Sequence, residues 1–145
     1  HHLLRRQRQM CIRDSFRIKG ESTITVNDYQ NGRKFDDALC YSFYPIDLHT
    51  KDGVVPKHLK RGVVPTIPRG SLIPKGSTNL MVAGRCLSSD RYANSAARVQ
   101  ASCMGMGQAA ACTAVLAAKS STTPKEVPLG EIHGLLREHG AIVPS

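Results

Sequence analysis

A chain of 145 residues with 41% hydrophobic content can bury one modest core and is too short for two, and its near-ordinary Gly and Pro usage excludes a fibrous or disordered class. The formal charge of +9 raises the question of a polyanion partner; yet Arg5, Arg6, Arg8 and Arg13 against Asp14 concentrate a net +3 in the first fifteen residues, the rest is scattered, and aromatics are only 5% of the chain, so no nucleic-acid surface is expected. The five cysteines (Cys11, Cys40, Cys86, Cys103 and Cys112) contain no CxxC pair, which predicts reduced thiols of a cytoplasmic type rather than a disulfide framework, a metal site or an iron-sulphur cluster.

In chain order, the stretch HHLLRRQRQMCIRDS is similar to translated adapter sequence, and composition shifts abruptly at Phe16. Residues 1–15 are therefore expected to be a non-native leader, with the native protein continuing upstream and its targeting unreadable from this terminus. Phe16 and Ile18, then Ile24 and Val26, alternate with polar residues, which predicts two short half-buried strands around Gly20. Thr25 followed by Asp28 has capping-box spacing and predicts a short helix closed by Asn31-Gly32. Leu39 to Phe43 reads as a strand ended by Pro45, which has no N–H to give a ladder.

Asp47 and His49 lie two apart, so an extended backbone aims both to one side. A histidine titrating near neutrality can move a substrate proton, and a structural histidine held by a neighbouring carboxylate fits the same spacing. Tyr44 is a further pocket candidate. From Gly53 to Gly76 repeated prolines and glycines allow only a long ordered loop or brief edge strands. Leu80-Met81-Val82-Ala83, stopped by Gly84, fits a buried strand of a parallel sheet.

After a polar segment from Ser88 to Ala97, a helix is predicted from about Arg98 to Lys119, with Val99, Cys103, Met106, Ala110, Ala114 and Ala117 on one face. Gly105 and Gly107 each cost about 1 kcal/mol inside it, and either close packing against a strand or the approach of a cofactor accounts for them. Together with Ala110 they spell GxGxxA, but no strand precedes them and they fall inside a helical pattern, so a phosphate-binding turn is rejected. The apolar run Ala109 to Ala118 is shorter than the ~20 residues of a membrane span. A last amphipathic helix is expected between Pro128 and His139, through Ile132, Leu135 and Leu136, ending at Gly140.

The informative unit is therefore strand, Gly84-Arg85 turn, polar loop and helix start. In an open α/β sheet, ligands lie outside the carboxyl ends of strands, and a helix N-terminus favours an anion or a polarised carbonyl. The segments YSFYPIDLH (Tyr41 to His49), IPRGSLIPKG (Ile67 to Gly76) and NLMVAGRCLSSDRYANSAARVQASCMGMGQAAA (Asn79 to Ala111) resemble the C-terminal part of FAD-dependent oxidoreductases related to the flavoprotein subunit of heterodisulfide reductase. The resemblance runs from about Phe16 to Lys119. It implies an α/β fold, the end of a doubly wound, Rossmann-like FAD-binding domain with a few strands of a substrate-side domain. Residues 16–76 would be the substrate-side remnant and 77–145 the end of the FAD-binding domain.

By that resemblance the cofactor is FAD. Gly84 and Arg85 would lie near its ribityl and pyrophosphate, with Arg98, Val99, Gln100 and Ser102 forming the helix start that faces the isoalloxazine. Two departures stand out. Arg85 replaces the acidic residue that often binds ribityl hydroxyls, and Ala111 stands where many relatives have Gly.

The implied activity is hydride transfer between a small-molecule substrate and the flavin, with no membrane partner. The main adenosine and pyrophosphate site is expected in a missing N-terminal FAD-binding half. Two other classes remain open at this stage. One is a non-enzymatic basic polyanion-binding module built on Arg5 to Arg13; the other is a redox thiol protein using Cys86 or Cys103.

Overall fold

The computed structural model describes residues 16–50, 53–54 and 56–145, the side chains of residues 49–50 and 53–54 excepted. The fold mixes helices with small antiparallel sheets, in the order α1 (Val26–Gln30), β1 (Ala38–Tyr41), β2 (His49–Thr50), β3 (Gly53–Val54), β4 (Thr66–Pro68), α2 (Arg91–Ala97), α3 (Gln100–Lys119) and α4 (Leu129–Glu138). A single 3-10 turn, Arg69–Ser71, follows β4.

Helix α1 forms as its sequence predicts. The Thr25 hydroxyl accepts from the Asp28 N–H at 3.2 Å, and the Asp28 carboxylate accepts from the Thr25 N–H at 3.0 Å, so two otherwise orphaned donors are satisfied reciprocally. Asn31 closes the helix and Gly32 turns away with φ +62°. A Cβ at Gly32 would also lie 2.7 Å from the Val63 side chain, so conformation and space both require glycine there.

The predicted strand at Leu39 is β1. It pairs antiparallel with β4 through Ala38↔Pro68, Cys40↔Ile67 and Tyr41↔Thr66, with an irregularity between Ala38 and Cys40. Pro68 is tolerated because it ends a strand of a two-stranded sheet, where its missing N–H breaks no central ladder. A second antiparallel pair is β2 with β3. The proline-rich stretch is thus short strands and loop, as expected.

Helix α3 packs against both β1 and α4. Leu39, Ile67, Met106, Ile132 and Leu136 are fully or almost fully buried in one cluster, which joins residues from both sides of the boundary expected at residues 76–77. By length and composition α3 would pass for a membrane span; here one of its faces is a core face. Helix α4 stops at Gly140, φ +74°, where the sequence places its end.

Four expectations are corrected. The segment 16–26 forms no strand pair; it makes isolated bridges, Gly20 with Pro74 and Ile24 with Ser89, and runs beside the 86–90 segment through Ile18 N–H to Cys86 O at 2.9 Å and Ile24 N–H to Ser88 O at 3.0 Å. Gly20 is enclosed there: a Cβ would lie 2.7 Å from the Ser88 Cβ and 2.8 Å from the Gly70 carbonyl oxygen.

Leu80 to Ala83 is not a buried parallel strand. Among the described residues no strand flanks it, Leu80 is 53% exposed, and its one backbone bond of note runs from Val82 N–H to Leu72 O at 2.8 Å. The polar segment Ser88 to Ala97 contains a helix, α2, because the Asp90 carboxylate caps it by accepting from the Ala93 N–H at 2.7 Å.

The inward face of α3 is Ser102, Met106, Ala109, Cys112, Thr113 and Ala117; Met106 and Ala117 lie on the predicted stripe, and the others fall beside it. Ala, Gly and Ser surround the helix on every side, so hydrophobicity alone marks no face. Gly105 lies opposite Cys40 of β1, whereas nothing lies within 4 Å of a Cβ built at Gly107.

Candidate functional site

The turn that follows Leu80–Ala83 is held from three sides. Leu87 N–H donates to Gly84 O at 3.2 Å, Ile18 N–H donates to Cys86 O at 2.9 Å, and the Asn94 amide donates to Arg85 O at 3.1 Å. Gly84 takes φ +85°, a conformation that side-chain-bearing residues seldom adopt. Its open side faces the first turn of α3, where a Cβ would come within 3.8 Å of the Cys103 sulfur. Between turn and helix lies a shallow depression of about 500 Å³, lined by Gly84, Arg85, Cys86, Gln100, Cys103 and Met104. Three residues expected at one site, Gly84, Arg85 and Gln100, therefore converge.

Arg98 is placed differently from expectation. It closes α2 instead of opening the next helix, its N–H donating to Asn94 O at 3.0 Å. Its buried guanidinium donates through Nε to Ser95 O at 3.2 Å and through Nη2 to Asp47 O at 3.1 Å. The Arg98 carbonyl in turn accepts from Arg85 Nε at 3.5 Å and from the Cys103 thiol at 3.3 Å. Arg98 is thus a strut between the Tyr44–His49 region and the turn between the two helices.

Val99 occupies the cap position of α3 and has no side-chain acceptor to offer. The first-turn N–H groups of this 20-residue helix are left without a side-chain cap, in contrast with α1 and α2. The aligned peptide dipoles add roughly half a positive elementary charge at that end. Ser102 points inward: its hydroxyl meets Ser42 Oγ at 2.9 Å, which meets the Tyr29 hydroxyl at 3.0 Å, and Tyr29 donates to Tyr44 O at 3.2 Å. Burial pushes the Tyr29 phenol above its usual pKa, with the bonds to Ser42 and Tyr44 opposing. This buried hydroxyl chain fixes α3 to the end of β1.

Of the proton-transfer candidates, Tyr44 has a partly exposed ring. Asp47 contributes its carbonyl to Arg98, and His49 lies in β2 with its side chain outside the described residues. The expected shared direction of Asp47 and His49 falls outside them as well. Burial raises the Cys103 thiol above its usual pKa; the charge of Arg85 opposes this and that of Cys86 adds to it.

Sequence reasoning missed the strut role of Arg98 and the part of Asp90. An Asp directly before the helix-forming run RYANSAA was the available signal.

A larger cavity of about 780 Å³ lies elsewhere, among Lys34, Cys40, Tyr41, Val63, Gln108 and Ile142. Gly105 lines it, but none of the residues expected to contact cofactor or substrate does, and Ile142 at its edge is almost fully exposed. The smaller depression is the better candidate because a positive-φ glycine turn, an arginine and an uncapped long helix meet there.

In comparisons with known proteins, the family described as FAD dependent oxidoreductase matches residues 2–136. No curated protein and no solved structure matches.

Proposed function

Because the chain belongs to the FAD dependent oxidoreductase family, we propose that it forms the flavin-contacting end of an enzyme that transfers hydride between a small-molecule substrate and FAD. The depression between the Gly84 turn and the start of α3 is the observation that carries this reading. Its residues suit the edge of an isoalloxazine. Gly84 lets backbone come close without a side chain, and the uncapped N–H groups of Gln100, Ala101 and Ser102 suit the carbonyl edge, where negative charge grows on reduction.

The bound flavin would supply the two-electron chemistry. The protein's own residues orient and polarise. Arg85, at the rim, is suited to meet a phosphate or a substrate carboxylate. Arg98 and the Tyr29–Ser42–Ser102 chain keep the helix start in place. Asp47, whose carbonyl is tied to that start through Arg98, and its neighbours Tyr44 and His49 are the candidates for holding a substrate and moving its proton.

We further infer that the subtype is the one related to the heterodisulfide reductase flavoprotein, and that residues 16–145 are the C-terminal part of a longer protein. Its preceding half would bring the glycine fingerprint and complete a doubly wound, Rossmann-like domain. The half-exposed apolar run Leu80–Ala83 supports this, as apolar surface that a preceding part of the chain would cover.

An isotope-labelled chain titrated with FAD tests both parts. The expected result is binding weaker than about 1 μM, with NMR shifts concentrated at Gly84, Arg85 and Gln100. Submicromolar affinity would overturn the claim that a second half is needed. Shifts confined to other residues, or none with millimolar FAD, would overturn the site.

A further inference from the structure

Cys86 and Cys103 come from different elements, the Gly84 turn and the first turn of α3, yet both line the same depression as free, half-buried thiols. Each thiol donates to a nearby carbonyl, Cys86 to Ala83 O at 3.6 Å and Cys103 to Arg98 O at 3.3 Å. Arg85 Nε donates to that same Arg98 oxygen at 3.5 Å, so a guanidinium and the Cys103 sulfur converge on one acceptor. The two cysteines are also close enough for the charge of one to act on the other. The remaining described thiols are shut away: Cys40 and Cys112 are buried, and burial pushes the Cys40 thiol up to about 12.

We propose that Cys86 and Cys103 are a redox-active pair, a modification site that closes to an intramolecular disulfide on reaction with a low-molecular-weight disulfide and thereby bridges the depression. In the first step one cysteine thiolate attacks the small disulfide, whose S–S bond breaks to give a mixed disulfide and one small thiol. The other cysteine then attacks the protein sulfur of that mixed disulfide, forming the Cys86–Cys103 bond and releasing the second small thiol. The protein gives up two electrons, and the two cysteine protons end on the two released thiols.

Arg85 assists by favouring the thiolate of Cys103 against its burial. A disulfide requires Cα atoms within about 7 Å. Gly84 presents no side chain toward Cys103, so no Cβ stands between the turn and the first turn of α3 as the two cysteines come together. None of this requires a bound flavin, so the proposal stands or falls apart from the flavin reading.

The test treats the whole chain with bis(2-hydroxyethyl) disulfide, alkylates the remaining thiols and maps non-reduced tryptic peptides by mass spectrometry. The peptide beginning at Cys86 should be joined to the Val99–Lys119 peptide, with tandem fragmentation placing the bridge at Cys103 and not at Cys112 of the same peptide. Cys86→Ser and Cys103→Ser should each lose the link and retain a mixed disulfide on the surviving partner. Arg85→Gln should slow closure several-fold. In denaturing urea the preference for this pairing should vanish. Mixed disulfides on both cysteines without a link, or linkage of Cys86 to Cys11, Cys40 or Cys112 as readily as to Cys103, would overturn the proposal.

Discussion

Gly20 shows how little freedom single positions have where backbones touch. With a Cβ it would approach the Ser88 Cβ to 2.7 Å and the Gly70 oxygen to 2.8 Å, and neither neighbour is the far end of a flexible side chain. Gly20→Ala should therefore destabilise the chain by about 1–3 kcal/mol, the usual cost of overpacking, and thermal denaturation would reveal it. Sequence patterning pointed to Gly20 as a special residue but not to the reason, since Gly70 and Ser88 are distant in the chain. The same holds at Arg98. Its pattern set it at the start of a helix, whereas it closes α2, and the turn of its guanidinium toward Asp47 O depends on a contact across 51 residues.

Among elements, those specified by local chemistry were readable. The reciprocal bonds of Thr25 and Asp28 fix α1, Gly140 ends α4, and β1 follows from its apolar run. Apolarity alone misled at two places. Leu80–Ala83 has the composition of a buried strand without strand neighbours among the described residues, and the alanine-rich α3 offers no dominant face. The glycines of α3 separate two explanations. Gly105 meets β1 at ordinary contact distance, while Gly107 has open space around it. Gly107→Ala should raise the stability of the isolated chain by roughly 0.5–1 kcal/mol through helix propensity. A loss of stability in chemical denaturation would mean that Gly107 makes a contact of its own.

At the scale of the molecule, stability should fall at both ends of the pH range. For Asp28, burial would raise the pKa, but the bonds from Thr25 and Arg33 outweigh it and hold the group below its usual 3.8. Its folded-state pKa is depressed, so its contribution is present above 3.8 and is lost as pH falls through the folded value. Glu21, held down by Lys125, and Glu126, held down by Thr123 and Thr122, act in the same direction. Cys40 acts in the opposite sense: its thiol rises from 9.0 to about 12 on burial, so stability drains away between those values as the unfolded chain loses the proton first. Urea midpoints across the pH range should describe a plateau with both shoulders, and Asp28→Asn should flatten the acid one. An acid shoulder unchanged by Asp28→Asn would remove Asp28 as its cause.

The Asp90 carboxylate has a consequence for the order in which the chain folds. One of its oxygens accepts from the Ala93 N–H at the start of α2 while the other accepts from the Val26 N–H at the start of α1. The second bond spans 64 residues, so the first turn of α1 reaches its full set of acceptors only after a long loop has closed. The expected outcome is that α1 completes its first turn late in folding and that the two helices melt together. Stopped-flow unfolding of Asp90→Asn should show faster unfolding with little change in refolding rate, and the reverse pattern would place this clasp early in assembly.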